Sequence, residues 1–355
     1  MRDFTRPLCC ILLLMNFLTT SSYVAGQACT TPPPNMVGWW PGDGNATDIA
    51  GPNNGKLING ATFAPGYVGK AFSFNGAGQF VDVKKATPLN VSAGDFTVDA
   101  WVYFNAVGGN DQSIVDKMNF NLGVNSDGWR LILQGDDLFW FCLGGGAGNN
   151  GCVFGNTSTV TSITNAAAGT WYFVAAVKTS TQISIYVNGN LENTTSLGPF
   201  TDTNSTDLLI GSANNGGAPL SGLVDEVELF KRALSPAEIL AIYNAGHTGK
   251  CKVLVGLTPS KLTFAAQTVG TTSPPQPVTL KNKSPNGGVL NITSIATTGD
   301  FGHSACPASL NPGQTCVIEV TFAPTAVGTR TGTLSVTDNS PNGLPQHVKL
   351  TGTGQ

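Results

Sequence analysis

The stretch 222–239 constrains the fold of this chain more than any other part of the sequence. It reads GLVDEVELFKRALSPAEI, an apolar strand followed by two basic residues. Ser235 then caps a short helix, because Pro236 suits the first helical position and Glu238, three residues after the cap, completes a capping box. The stretch therefore predicts a strand that leads through a turn into a capped helix.

Composition indicates an all-β protein with many turns. Charged residues make up 11% of the 355 residues, against roughly 25% in an average globular protein. Glycine and proline contribute 44 and 21 residues, and 41% of the chain is apolar. Alternating runs such as 96–104 are separated by turn-forming clusters, which is typical of sandwiches and barrels. The length fits two domains.

The order of these runs resembles the LamG-like jelly-roll family of the concanavalin A-like lectin/glucanase superfamily. The resemblance implies an antiparallel jelly-roll sandwich over residues 29–252, and it implies glycan or another extracellular polymer as ligand without fixing which one. The segments that carry it are 38–51, 53–83, 96–102, 170–177, 183–191 and 222–244.

The composition changes near Lys252, where acidic residues become rare and Thr, Pro and Ser increase. Residues 254–354 resemble the bacterial ASH-type (ASPM/SPD-2/Hydin-like) immunoglobulin-like repeat. The resemblance implies a smaller immunoglobulin-like β-sandwich over 253–355 that serves as a spacer or docking module. The segments that carry it are 257–264, 267–272, 278–282, 322–325, 328–334 and 348–354.

The N-terminus predicts export. Arg2 and Arg6 precede an apolar run at 8–18, which is too short to span a bilayer and suits a signal peptide. We expect residues 1–28 to be removed. Cys29 would also permit a lipoprotein, although Gly26 and Gln27 fit that signal poorly. The mature chain has no later segment apolar enough to span a membrane, so we expect a secreted or cell-surface protein, extracellular or periplasmic and bacterial in style.

Six cysteines remain after the signal peptide, and an even number in a secreted chain indicates disulfides. Six cysteines allow 15 pairings, and their positions favour one. Each of two pairs brackets a turn, and the third pair lies at the two ends of the first domain, which a jelly roll brings together. The expected bridges are Cys142–Cys152, Cys306–Cys316 and Cys29–Cys251.

The acidic cluster Asp225, Glu226 and Glu228 raises the question of catalysis, since glycosidases use two carboxylates. The spacing differs from the Glu-x-Asp-x-Glu motif of enzymes in this superfamily. Simple alternation along a strand would place Asp225 opposite the two glutamates. The chain also lacks the usual nucleophile and metalloprotease motifs. We therefore predict a protein with no catalytic residues.

The resemblance implies another role for Asp225, because the matching aspartate of some superfamily enzymes binds a structural calcium ion. Calcium takes 6–8 oxygen ligands, and the N-terminal loop offers Asp43 and Asp48. The expectation is a structural Ca²⁺ site formed by Asp225 with Asp48 or Asp43. The alternative is that Asp225 binds a loop and the other two are ordinary turn residues.

Aromatic side chains suggest where a sugar would stack. Trp101 and Trp171 occupy core strands of the family, and only one of the adjacent Trp39 and Trp40 can point inward. Of the aromatic residues, Trp129 is the candidate for contact with a ligand, but core packing is the favoured role for it.

The function expected from the sequence is a secreted or surface-exposed, non-catalytic binding protein whose jelly roll binds glycan. One alternative is a structural or adhesive protein that contacts another extracellular or surface protein. The other is a divergent polysaccharide-degrading enzyme. The net charge of −3 and the absence of a basic cluster exclude general affinity for nucleic acid.

Overall fold

The computed structural model describes residues 29–85, 87–91, 94–119, 127–144, 158–197, 206–213, 216–341 and 345–355. The expected signal peptide, 1–28, lies outside them. The described chain is built from strands, with one α-helix and short 3₁₀ segments, so the all-β fold class is confirmed. None of its helices is long and apolar enough to cross a membrane.

The N-terminal part is a sandwich of two antiparallel sheets. One has eight strands in the order β13-β12-β11-β6-β15-β4-β3, with β1 on β15, and the other has seven in the order β10-β9-β8-β7-β14-β5-β2. The strands are β1 Met36–Trp40, β2 Gly55–Ile58, β3 Thr62–Pro65, β4 Lys70–Asn75, β5 Phe80–Val83, β6 Phe96–Phe104, β7 Gln112–Asn119, β8 Asp127–Leu133, β9 Leu138–Gly144, β10 Thr159–Asn165, β11 Trp171–Lys178, β12 Gln182–Val187, β13 Asn190–Ser196, β14 Leu208–Ile210 and β15 Ser221–Phe230.

The main core lies between these sheets, because alternate residues of each strand point inward. On β6, Phe96, Val98, Ala100, Val102 and Phe104 all belong to this core. The residues between them face the outer side of the eight-stranded sheet. There a second core forms beneath helix α1, Pro236–Asn244, which buries Ile239 and Ile242.

Helix α1 begins as its sequence predicts. The Ser235 hydroxyl accepts the Glu238 backbone N–H, and the Glu238 carboxylate accepts the Ser235 N–H, so the capping box is formed. Arg232 from the preceding turn pairs with Glu238 at 2.6 Å. The hydrogen bonds that the Glu238 carboxylate accepts, first from Arg232 and then from Ser235, favour its charged form and lower the pKa of Glu238 to about 2.

The C-terminal part is a smaller sandwich with its own core around Phe264, Phe301 and Phe322. Its sheets have the orders β16-β18-β22-β20 and β17-β24-β23-β19-β21. The strands are β16 Val255–Thr258, β17 Lys261–Thr263, β18 Gln276–Asn282, β19 Leu290–Thr297, β20 Phe301–His303, β21 Ser309–Leu310, β22 Thr315–Phe322, β23 Gly328–Asp338 and β24 Gln346–Gly354. Independent folding of 29–252 and 253–355 stays a prediction.

Two disulfides are formed with the pairing that the sequence predicts. Cys29 is joined to Cys251 and Cys306 to Cys316, with Cα–Cα distances of 4.9 and 5.9 Å. Cys142 is buried on β9, but Cys152 lies outside the described residues. The Cys142–Cys152 bridge therefore stays a prediction.

Candidate ligand-binding surface

The acidic cluster of β15 is a buried ion-pair network. The pairing of β15 with β6 shifts register between Asp225 and Glu228, and Glu226 has a φ of +52°, which marks a β-bulge. Val224 and Val227 both face the inter-sheet core across this bulge. Asp225, Glu226 and Glu228 therefore share the outer side of the sheet, and the expectation from simple alternation was wrong.

Two lysines that follow helix α1 pair with acidic residues of this cluster. The ammonium of Lys250 lies 2.5 Å from Glu228 Oε1, and that of Lys252 lies 2.5 Å from Glu226 Oε1 and 2.7 Å from Asp43 Oδ2. Lys250 also lies over the Trp39 ring, at 5.5 Å from its centroid. Both lysines are 2% exposed. The carboxylates are thus covered by the chain's own linker, and a polysaccharide bond has no access to them.

Asp99, on β6, is a further carboxylate of this network. It is fully buried, and neither of its carboxylate oxygens has a hydrogen-bond partner among the described residues. Burial raises the pKa of Asp99 to about 7; the Lys250 ammonium opposes this rise, and Glu226 adds to it. Four buried carboxylates face two ammonium groups, so part of the cluster retains protons near neutral pH.

Stability is expected to depend on pH through Asp99. The folded protein holds this proton more tightly than the unfolded chain, where an aspartate has a pKa of about 3.9. The free energy of unfolding therefore falls as pH rises from about 4 to about 7, and the loss is complete above that range. The Asp99→Asn variant is expected to melt several degrees above the unchanged protein at pH 8, with the gap closing toward pH 4.

Thermal melts at pH 4, 6 and 8 measure this difference. Glu319→Gln is the matched control, because Glu319 is exposed on the C-terminal sandwich. An Asp99→Asn variant that melts lower than the unchanged protein at pH 8 would show that a charged Asp99 stabilises the fold, contrary to this prediction.

The three aspartates expected to bind calcium serve different partners. Asp48 caps its own loop by accepting the backbone N–H groups of Trp39, Ala50, Gly51 and Asn53. Asp43 pairs with Lys252, and Asp225 Oδ2 accepts the Val68 N–H at 2.8 Å. Among the described residues, no group of three or more His, Cys, Asp or Glu side chains is arranged to hold a metal ion.

Each of the three aspartates thus has partners within the chain, and one of them, Asp43, is paired with a lysine ammonium. Structural Ca²⁺ binding by Asp225 with Asp48 or Asp43 stays a prediction.

Trp129 does not form a sugar platform. It is 0% exposed and packs in the inter-sheet core against Phe96, with ring centroids 5.5 Å apart. The proposed ligand-binding role of Trp129 is wrong, because strand alternation turns its ring inward and presents its neighbour Arg130 outward. Arg130 forms a buried ion pair with Asp116 at 2.5 Å, and Trp140 on the same outer face is only 6% exposed.

Partly exposed aromatic rings lie instead on the outer side of the eight-stranded sheet. Trp171 faces outward beside its cross-strand partner Tyr103, with ring centroids 5.6 Å apart. Tyr67 stacks on the buried Trp101 at 3.5 Å, and the exposed His247 stacks on Tyr67 at 4.2 Å. We call Tyr103, Trp171, Tyr67 and His247 the aromatic strip.

Sequence reasoning missed the aromatic strip. It assigned Trp171 to the core together with Trp101, whereas only Trp101 is enclosed. Tyr67 lies in the turn between β3 and β4, and His247 lies in the linker after helix α1. No spacing in the sequence connects these two positions. His247 is held in place because its Nδ1–H donates to the Tyr67 carbonyl oxygen at 2.8 Å.

Solved structures resemble this fold at low identity. Domain 4 of AbnA, a GH43 extracellular arabinanase from Geobacillus stearothermophilus, in complex with arabinotriose, is 17% identical with a TM-score of 0.46, covering 59% of this chain and 98% of that domain. The binding domain of Paraclostridial Mosquitocidal Protein 1 is 10% identical with a TM-score of 0.48, covering 85% and 86%. Similarities this weak carry no argument about function.

Two family models match the chain, one in each of its two sandwiches. No curated protein matches it. Residues 75–240 match the family model of the concanavalin A-like lectin/glucanases superfamily. Residues 253–343 match the family described as abnormal spindle-like microcephaly-associated, ASPM-SPD-2-Hydin. The chain therefore carries a domain of the concanavalin A-like lectin/glucanases superfamily followed by an ASH domain.

Proposed function

We propose that this chain is a non-catalytic glycan-binding protein that acts outside the cell, with the ASH domain as spacer or docking module. The observation that carries the proposal is the aromatic strip. Tyr103 and Trp171 lie side by side on the outer side of the sheet and both remain partly exposed. Tyr67 stacks on both Trp101 and His247 and meets Trp171 edge-on, with ring centroids 5.9 Å apart. The Tyr103 and Trp171 rings are tilted by 50° to one another, so each offers its own apolar surface to the CH face of a sugar unit.

Two further features support this proposal. The carboxylates that could have served a hydrolase are buried and bound by Lys250 and Lys252. The Cys29–Cys251 and Cys306–Cys316 disulfides suit an oxidising compartment.

Removal of Trp171 is expected to weaken glycan binding. Trp171→Ala removes a partly exposed ring. The apolar contact that this ring would make with a bound glycan is worth about 1–2 kcal/mol, so the dissociation constant should rise about tenfold. Trp171→Phe keeps a flat ring and should retain most of the affinity. A glycan array on the full chain selects the ligand, and calorimetry then compares the variants.

Leu191→Ala is the control, because Leu191 is an exposed apolar residue on the same sheet but outside the strip. An array without any bound glycan would contradict the proposal and favour a protein ligand. Release of reducing ends from a bound polysaccharide would contradict the non-catalytic part.

A further inference from the structure

A cleft of about 670 Å³ lies between the two sandwiches. Its walls come from three sources: the loops around Asp43 and Val68 in the jelly roll, the linker, and the turn after β18 in the ASH domain. The aromatic strip leads to it, because His247 belongs both to the strip and to the cleft wall. Residues that line it include Asn45, Lys70, Lys252, Lys283 and Asn286.

The walls of this cleft are held together by the linker. The Asn286 side chain donates to the Lys250 carbonyl oxygen and accepts the Lys252 N–H at 2.9 Å. Lys252 in turn reaches into the jelly roll to Glu226, and Cys251 between them is bonded to Cys29. Because one short segment is tied to both domains, the cleft is pre-organised, which lowers the entropy lost on binding.

The cleft carries a net positive charge at its surface. Lys70 and Lys283 are exposed on opposite walls, and among the described residues neither ammonium group forms an ion pair, although the Lys70 backbone N–H donates to Asp43. Asp43 is the acidic residue of the lining, and Lys252 is shared between it and the buried Glu226. Lys70 and Lys283 therefore still outnumber Asp43 at the cleft surface. This positive charge is local, since residues 29–252 as a whole carry 17 acidic and 11 basic side chains.

We infer that the cleft binds the acidic substituents of an anionic glycan whose neighbouring sugar units lie along the aromatic strip. Lys70 and Lys283 would supply charge, and the exposed amide group of Asn45 lies close by to hydrogen-bond hydroxyls. This inference rests on the proposed function and adds to it a ligand class, acidic rather than neutral polysaccharide. It also gives the ASH domain a direct part in recognition through Lys283.

The test compares three polymers with the full chain: polygalacturonate for carboxylates, dextran sulfate for sulfates and dextran as the uncharged polymer. The double variant Lys70→Gln/Lys283→Gln is expected to bind the preferred acidic polymer about tenfold more weakly, since two exposed charge pairs contribute up to about 1 kcal/mol each. Its affinity for any neutral glycan found on the array should not change. Rising salt should reduce the difference.

Lys261→Gln/Lys349→Gln is the matched control, because these two exposed lysines are cross-strand neighbours on the ASH domain and lie outside the cleft lining. An equal loss in both double variants would overturn the inference, since binding would then follow net charge. Binding of neutral glycans alone would also overturn it and leave the proposed function intact. Failure to bind any glycan would remove both.

Discussion

Lys250→Ala is expected to destabilise the jelly roll by about 3–5 kcal/mol, because it leaves buried carboxylates without their counter-charge. Lys250 is fully enclosed between Glu228 and the Trp39 ring. Attraction by Glu228, Glu226 and Asp99 outweighs the desolvation that opposes it, so the pKa of Lys250 is raised and the side chain stays charged. Chemical denaturation of the full chain at pH 8 measures the loss.

A double-mutant cycle separates charge from packing. Lys250→Met keeps most of the side-chain volume and should cost nearly as much as alanine, whereas Lys250→Met with Glu228→Gln removes both charges and should recover a large part of the stability. At pH 5 the penalty of the single variants should shrink, because the freed carboxylates can take up protons. A single variant as stable as the unchanged protein at pH 8 would contradict the ion-pair account.

Loss of the Cys29–Cys251 disulfide is expected to cost about 2–5 kcal/mol, the range observed for native bridges. The two residues are 222 positions apart, so the bridge closes almost the whole jelly roll. Chain-entropy models make the effect grow with loop length. The bridge also adjoins Lys250 and Lys252, so Cys29→Ser/Cys251→Ser should also weaken the ion pairs of these two lysines with the acidic cluster.

Cys306→Ser/Cys316→Ser provides the comparison, because that bridge joins residues only 10 positions apart and lies in the other domain. We expect the smaller loss there. Denaturation monitored by tryptophan fluorescence reports selectively on the jelly roll, because all six tryptophans precede the ASH domain. A jelly roll that unfolds at the same denaturant concentration with and without the Cys29–Cys251 bridge would contradict this prediction.

The fold could be predicted where neighbours in the sequence determine it. The capping box of Ser235 and Glu238 needs only residues within one helical turn. The alternation of 96–104 specifies an inward and an outward face whatever packs on them. The short separation of Cys306 and Cys316 around a turn also made their pairing predictable. Such features can be predicted because each depends on residues that are close together in the sequence.

The site could be predicted only in part. The sequence pointed to Asp225, Glu226 and Glu228 as a special cluster, and the structure places them together. It did not show the bulge at Glu226, because the bulge depends on the pairing of β15 with β6. It also offered no reason to connect the acids with Lys250 and Lys252, which pair with Glu228, Glu226 and Asp43.

The sequence by itself indicated strands from their alternation, helix α1 from its capping box and the pairing of two disulfides from turns and chain ends. Resemblance to two families supplied the order of the domains. Only the tertiary structure decided that Trp129 is buried and that Trp171 is partly exposed. Trp129 and Trp171 lie on similar apolar strands, but one faces the opposite sheet and the other faces an outer surface that helix α1 covers only in part. Exposure is set by what packs on each face, and that packing comes from residues far apart in the chain.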